Sequence, residues 1–174
     1  YTLSMAAPEE MAAAAQRNAH RPLIKMKLTG EGDLERVRAV RDVLPKTPII
    51  VDANEAWALD MVEHFAIELK KLHVQLVEQP LPSSSDGTLG YVVHPIPFCA
   101  DESCHTSADL ERLRSLYDVV NIKLDKTGGL TEALKLRQAA FDVGMDVMVG
   151  CMVATSLSMA PGVLVAQGAM VVDL

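Results

Sequence analysis

The feature that most restricts what this chain can fold into is an alternation. Eight short apolar runs, at residues 1–5, 23–28, 48–52, 74–78, 97–101, 119–124, 145–149 and 170–174, are separated by longer segments with apolar residues every three or four positions. The runs read as strands, and most of the segments between them as amphipathic helices, at 8–18, 33–44, 59–72, 107–116, 131–143 and 156–167. Strand, helix, strand in repetition is the pattern of parallel strands joined by crossovers. Eight such units, with no glycine-rich phosphate loop after the first strand, favour closure into a barrel over a doubly wound open sheet. The expected class is α/β, a barrel of parallel strands inside a ring of helices, with residues 1–174 as one domain.

Local signals agree with this division. Pro8, Glu9 and Glu10 suit a first helical turn, where proline loses no hydrogen bond and acids face the positive end of the dipole. Leu34, Val37, Val40 and Leu44 share a helical face, with Asp33 as the expected N-cap and Pro45 as the stop. Ser107 is the expected cap of the 107–116 helix, and Gly144 closes the 131–143 helix. Residues 83–95 break the rhythm: Gly87, Gly90 and Val92-Val93 make a poor helix, so a short irregular connection is expected.

Charge and composition exclude several classes. The formal net charge is −7 and the basic residues are scattered beside acids, which argues against nucleic acid or an anionic membrane as partner. Aromatic residues make up 4%, too few for a base-stacking surface. No apolar run is long enough to span a bilayer, and no basic start leads into an apolar stretch. Cys99, Cys104 and Cys151 show no CxxC spacing, which argues for a reducing cytoplasm rather than a disulfide framework. Tyr1 opens directly into an apolar segment and Leu174 ends inside one, so a piece of a longer protein is expected.

The informative residues are polar ones where buried strands should be apolar. In the second run Ile24, Met26 and Leu28 share one face and Lys25 and Lys27 the other. If the apolar face meets the helices, both lysines point into the barrel. Asp52, Glu78, Asp101, Lys123 and Asp173 each lie near the C-terminal end of a strand, where such barrels build their sites. Taken singly, an Asp there caps a turn or helix and a Lys is an edge residue. Taken together, three acids on consecutive strands, flanked by lysines, point to chemistry. Carboxylates converging in a low-dielectric mouth repel one another, and a hard divalent cation such as Mg2+ relieves this through oxygen ligands. A nearby cation and burial bring a lysine toward neutrality, where it serves as acid and base. This arrangement suits removal of a proton next to a carboxylate. A cation offsets the dianionic enediolate, and a lysine on each face permits abstraction from one side and return from the other.

These residues stand in stretches that identify a family. In order they are Lys25-Met26-Lys27, Val51-Asp52-Ala53-Asn54, Val77-Glu78-Gln79-Pro80, Ala100-Asp101-Glu102-Ser103, the segment from Asn121 through Lys123 to Gly129, and Met148-Val149-Gly150-Cys151-Met152. Over almost its whole length the chain resembles the dipeptide epimerases of the enolase superfamily, the L-Ala-D/L-Glu epimerases in particular. The resemblance implies the (β/α)7β modified TIM barrel of that superfamily. It also implies a Mg2+-dependent isomerase of murein peptide metabolism, acting on a small-molecule dipeptide. Asp52, Glu78 and Asp101 would be the metal ligands, and Lys27 and Lys123 the two acid/base groups. Lys25 would lower the pKa of Lys27 and touch the substrate carboxylate. Asp173, matching the first acid of the family's D-x-D, would meet the dipeptide's ammonium, with Cys151 and Met152 lining the substrate site. Asn54 and Glu102 would orient ligands and lysines. The parent protein would be a homo-oligomer.

Two departures accompany the resemblance. The family's N-terminal capping domain and the second acid of D-x-D are missing, so weak or no activity is expected of this chain alone. Rival readings are a muconate cycloisomerase or an o-succinylbenzoate synthase of the same superfamily. Outside it stand a Schiff-base aldolase using Lys123 and a truncated barrel with a structural role only. Cys99 and Cys151 read as core residues, Cys104 and His105 as a surface loop, and Trp57 as packing beneath the site.

Overall fold

The computed structural model describes residues 1–174, and their contacts group into two units, Tyr1–Phe98 and Cys99–Leu174. In the first unit β1 (Thr2–Leu3), β2 (Ile24–Lys27), β3 (Ile49–Asp52) and β4 (Val74–Glu78) alternate with α1 (Pro8–Arg17), α2 (Asp33–Val43) and α3 (Leu59–Lys71). All three strand pairings, β1 with β2, β2 with β3 and β3 with β4, are parallel. Every residue of β3 is buried, as a strand covered on both faces must be. The helices bury one stripe each: Met11 and Ala15 in α1, Leu34, Val37 and Val40 in α2, Val62, Ala66 and Leu69 in α3. Residues 83–95 form no full helix; a single 3-10 segment, Asp86–Tyr91, takes that place.

Arg41 closes the end of this unit opposite the strand C-termini. Its guanidinium donates to the carbonyls of Leu44, Thr47 and Leu72, each at 2.8 Å, and of His73 at 3.2 Å. Burial pushes its pKa down. One side chain thereby ties the exit of α2, the approach to β3 and the α3–β4 turn, where His73 is held at a φ of 54°.

The second unit takes up β5 (Phe98–Ala100), whose first residue ends the first unit, and continues with α4 (Leu110–Leu113), β6 (Val119–Ile122), α5 (Leu124–Thr127), α6 (Leu130–Asp142), β7 (Asp146–Gly150), α7 (Ser156–Val165) and β8 (Val171–Asp173). β5 pairs with β6, β6 with β7 and β7 with β8, again all parallel. Pro161 lies inside α7 without ending it.

Several local expectations are corrected. Asp33 is not the N-cap of α2: Gly32 occupies that position at a φ of 72°, which a glycine adopts without steric cost. The 107–116 helix breaks into a 3-10 turn, Ser107–Asp109, followed by the four-residue α4. Its cap is Thr106, whose N–H donates to Asp109 Oδ2 at 2.8 Å in a capping box. Ser107 is drawn to α6 instead, where its N–H and Oγ both donate to Glu132 Oε1, at 2.9 and 2.7 Å. The strand expected through Leu124 stops at Ile122, because Lys123 is the N-cap of α5 and Leu124 its first residue.

Candidate active site

In the first unit the register places Lys27 beside Asp52 and Asp52 beside Glu78, at the C-terminal ends of three strands. Asp52 and Glu78 are wholly buried. Two buried carboxylates in one place are costly unless paired. Lys25, itself 4% exposed, meets both, with Nζ 2.7 Å from Glu78 Oε2 and 3.1 Å from Asp52 Oδ2. Lys27 donates to Asp52 Oδ2 at 2.6 Å and to Asn54 Oδ1 at 2.9 Å, and the Asn54 N–H returns to Asp52 Oδ1 at 3.0 Å. The acids are therefore not bare: a lysine lies between the two carboxylates, which the sequence pattern did not foresee.

The loops that carry these groups are interlocked. Asn54, Glu55 and Gln79 adopt φ values of 45°, 65° and 38°, a region non-glycine residues enter only when their surroundings hold them. The holding bonds run from the β3 loop to the β4 loop: Ala53 N to Glu78 O, Glu55 N to Gln79 O and Trp57 N to Pro80 O, at 2.9, 2.9 and 3.0 Å. Ser83 N donates back to Glu55 Oε1 at 2.6 Å. Beneath them Trp57 is buried as expected, with its indole N–H on Asp33 Oδ2 at 2.9 Å and its ring edge-on to Phe65. Asp33 also accepts the N–H groups of Gly30 and Thr29, so one carboxylate joins the loop after β2 to the loop after β3.

In the second unit Asp101 stands just past β5, 2% exposed, between two ammonium groups. Lys123 reaches its Oδ2 at 2.5 Å and Lys126 its Oδ1 at 2.7 Å. Burial alone would push this carboxyl up; the charges of Lys126 and then Lys123, with their hydrogen bonds, outweigh it and hold the pKa at about 2. Lys126 also donates to the carbonyls of Asp101 at 2.6 Å and Asn121 at 2.8 Å, which fills its three donors. The sequence pattern does not mark Lys126, which lies in α5, between the strand expected at 119–124 and the helix expected at 131–143. Asp173 ends β8 opposite Gly150, half-buried, and its carbonyl lies 3.5 Å from Cys151 Sγ. Met152 is 54% exposed. Glu102 follows Asp101, with its carbonyl 3.0 Å from His105 Nε2.

The cysteines sort differently from expectation. Cys99 is core, but so is Cys104, which is fully buried rather than on a surface loop; burial pushes its thiol up to about 12. Cys151 is only half-buried. The expected result with a thiol reagent such as DTNB at pH 8 is one prompt equivalent, from Cys151, and three after unfolding. Prompt reaction of two or more thiols in the native protein would contradict the burial of Cys104.

No group of three or more His, Cys, Asp or Glu side chains is gathered here as a ready metal centre. The donor chemistry nonetheless fits a hard divalent cation. Asp52 and Glu78 are buried oxygen donors in register, their negative charge already met by ammonium groups at hydrogen-bond distance. No helix is long and apolar enough to cross a membrane.

Charged side chains at the C-terminal ends of parallel strands stand where α/β barrel enzymes build their active sites. The chain belongs to the enolase C-terminal domain-like family, whose model matches residues 9–171. Its fold class is accordingly α/β, the (β/α)7β modified barrel of the enolase superfamily. It is 48% identical over 174 residues to an N-acetyl-D-glutamate racemase of a Pseudoalteromonas species, covering 100% of this chain and 55% of the relative. It is 45% identical over 157 residues to the L-Ala-D/L-Glu epimerase of Escherichia coli, covering 89% of this chain and 49% of the relative. Among solved structures, it is 51% identical to an enolase family member from Agrobacterium tumefaciens with homology to dipeptide epimerases, bound to sodium and L-Ala-L-Glu. The TM-score there is 0.97, over 100% of this chain and 53% of that one. A dipeptide epimerase from Cytophaga hutchinsonii, complexed with Mg and D-Ala-L-Val, matches with a TM-score of 0.94 at 31% identity, over 99% of this chain and 50% of that one. The chain thus spans about half the length of the relatives it matches.

Proposed function

We propose that this chain carries the catalytic half of a magnesium-dependent epimerase that inverts the carbon next to the carboxylate of a dipeptide, of the L-Ala-D/L-Glu type. The observation that carries the reading is the pairing of buried strand-end carboxylates with lysines: Asp52 and Glu78 with Lys25 and Lys27, and Asp101 with Lys123. Asp52, Glu78 and Asp101 are the proposed ligands of the magnesium ion. When bound, the ion supplies the positive charge that offsets the second negative charge developing on the substrate carboxylate. Lys27 takes or returns the α-proton at one face and Lys123 at the other. Lys25 lies between its two acids, 2.7 Å from Glu78 Oε2 and 3.1 Å from Asp52 Oδ2, and is the proposed electrostatic partner of Lys27. Asn54 holds the Lys27 ammonium in place. Glu102 is the proposed neighbour that orients Asp101. Three free cysteines suit a reducing cytoplasm.

Calorimetry tests the metal site. Saturable Mg2+ binding by this chain, abolished in Asp101→Asn, is the expected result. Absence of binding in protein shown by circular dichroism to be folded would overturn the reading. Turnover is tested by exchange of the α-proton in D2O with L-Ala-L-Glu and L-Ala-D-Glu, with slow exchange expected of this chain.

A second reading concerns the substrate's amine end. The Pseudoalteromonas relative is named for N-acetyl-D-glutamate, in which an acetyl group replaces the alanyl residue and its ammonium. Asp173 decides between them, because only a dipeptide brings a cation for it. Asp173→Asn is expected to raise KM for L-Ala-L-Glu about 10- to 100-fold and to leave KM for N-acetyl-D-glutamate within about twofold. Equal effects on both would show that Asp173 does not read the ammonium.

A further inference from the structure

We infer that Gly150 is a positioning residue for Lys123, keeping a side chain out of the space in which that lysine and Asn121 stand. The inference rests on the proposed role of Lys123 as an acid/base group. β6 and β7 run in register from Val119 opposite Asp146 to Ile122 opposite Val149, so the next step sets Lys123 beside Gly150. On its other side Gly150 pairs with Asp173. The end of β7 thus lies between the strand that carries the base and the strand that carries the acid proposed for the ammonium.

A Cβ at position 150 would lie 2.8 Å from Asn121 Oδ1, 3.0 Å from Asn121 Nδ2 and 3.2 Å from Lys123 Cε. The first of these is closer than real Cβ atoms come to other heavy atoms, so something must move. Asn121 is wholly buried, so its side chain has little room to turn away, and its backbone carbonyl is separately held by Lys126 Nζ at 2.8 Å. Lys123 must give as well, by a few tenths of an ångström at Cε. It reaches Asp101 Oδ2 at the end of a flexible stem, and a displaced Cε carries Nζ with it. Gly150 does not have a positive φ, so its backbone would accept any residue. Glycine inside a strand costs conformational entropy relative to alanine, and the close approach of a neighbouring group is what justifies it.

The test is Gly150→Ala beside Lys123→Ala, each assayed for α-proton exchange in D2O with Mg2+ and with each epimer of L-Ala-Glu. Lys123→Ala identifies the epimer whose proton Lys123 removes. With that epimer Gly150→Ala is expected to exchange about 5- to 10-fold more slowly: Lys123 Cε must give by a few tenths of an ångström, and misplacing a reacting group by about 1 Å costs ~100-fold. With the other epimer, which depends on Lys27, it should exchange within about twofold of the unsubstituted chain. Equal slowing of both epimers, or of neither, overturns the inference; a merely structural lesion would slow both.

Failure of the proposed function is distinguishable. If the unsubstituted chain exchanges neither epimer, or Lys123→Ala shows no asymmetry, that reading falls by itself. A crystal structure of Gly150→Ala then decides the inference: Lys123 Nζ displaced from Asp101 Oδ2 upholds it, and Lys123 Nζ still bonded there overturns it. Should Gly150→Ala not fold, the double variant Gly150→Ala/Asn121→Ala replaces it. That variant removes the two closest contacts while leaving the methyl against Lys123, and it must show the same asymmetry or displacement.

Discussion

Asp33→Ala is expected to lower the stability of the folded chain by about 3–5 kcal/mol, a large fraction of what a domain of this size holds. The carboxylate is 1% exposed and gathers four donors: Gly30 N at 2.7 Å, Trp57 Nε1 at 2.9 Å, Thr29 N at 3.1 Å and Arg36 Nη1 at 3.2 Å. Alanine would leave the indole and amide N–H groups without an acceptor away from water, and each such group costs about 1–3 kcal/mol. Asp33→Asn should recover little, because one of its two terminal atoms becomes a donor facing donors. Trp57 is the single tryptophan and the natural reporter: urea unfolding followed by its fluorescence gives the loss of stability. A loss below about 1 kcal/mol would mean that water or a loop shift satisfies these groups. The consequence for the site follows from position. The loops that Asp33 joins continue from Lys27 and Asp52, so loosening them should disturb catalysis at temperatures where the fold survives.

On the proposed role of Lys27 as an acid/base group, Lys27→Ala is expected to reduce epimerisation about 10²- to 10⁴-fold, the usual contribution of a positioned acid or base. The loss should fall on kcat more than on KM, because Lys25 remains between Asp52 and Glu78 as the fixed cation. The fold should be spared. The Lys27 side chain is 36% exposed, so its removal leaves no deep cavity, and Asp52 keeps Lys25 and the Asn54 N–H. Circular dichroism and the melting temperature check this directly. The decisive reading is again asymmetric: α-proton exchange is expected to be lost for one epimer and kept for the epimer proposed for Lys123. Equal loss for both would remove the two-base reading of Lys27.

The strands and most helices were legible because their signals are local. Buried parallel strands read as short apolar runs, and α1, α2, α3 and α6 as stripes three and four residues apart, and these became elements with ends shifted by a residue or two. The failures share a cause. At Asp33 and Ser107 the residue with capping chemistry was captured by a partner distant in sequence, Trp57 in one case and Glu132 in the other. Cys104 looked like loop by its neighbours Glu102, Ser103 and His105, yet it packs into the core. Lys126 had no periodic pattern to mark it, since α5 is only four residues long.

The same division holds for the chemistry. Alternation along β2 sets Lys25 and Lys27 on one face, and the position of each acid at its strand end follows from the chain alone. Which ammonium meets which carboxylate does not. That Lys25 lies between Asp52 and Glu78, that Lys126 shares Asp101 with Lys123, and that Asn121 and Lys123 crowd against Gly150 are facts of tertiary packing. The physical reason is range. Periodicity and propensity act over a few neighbouring residues, whereas the pairing energy of a buried charge depends on ångström distances between strands some 20 or more positions apart.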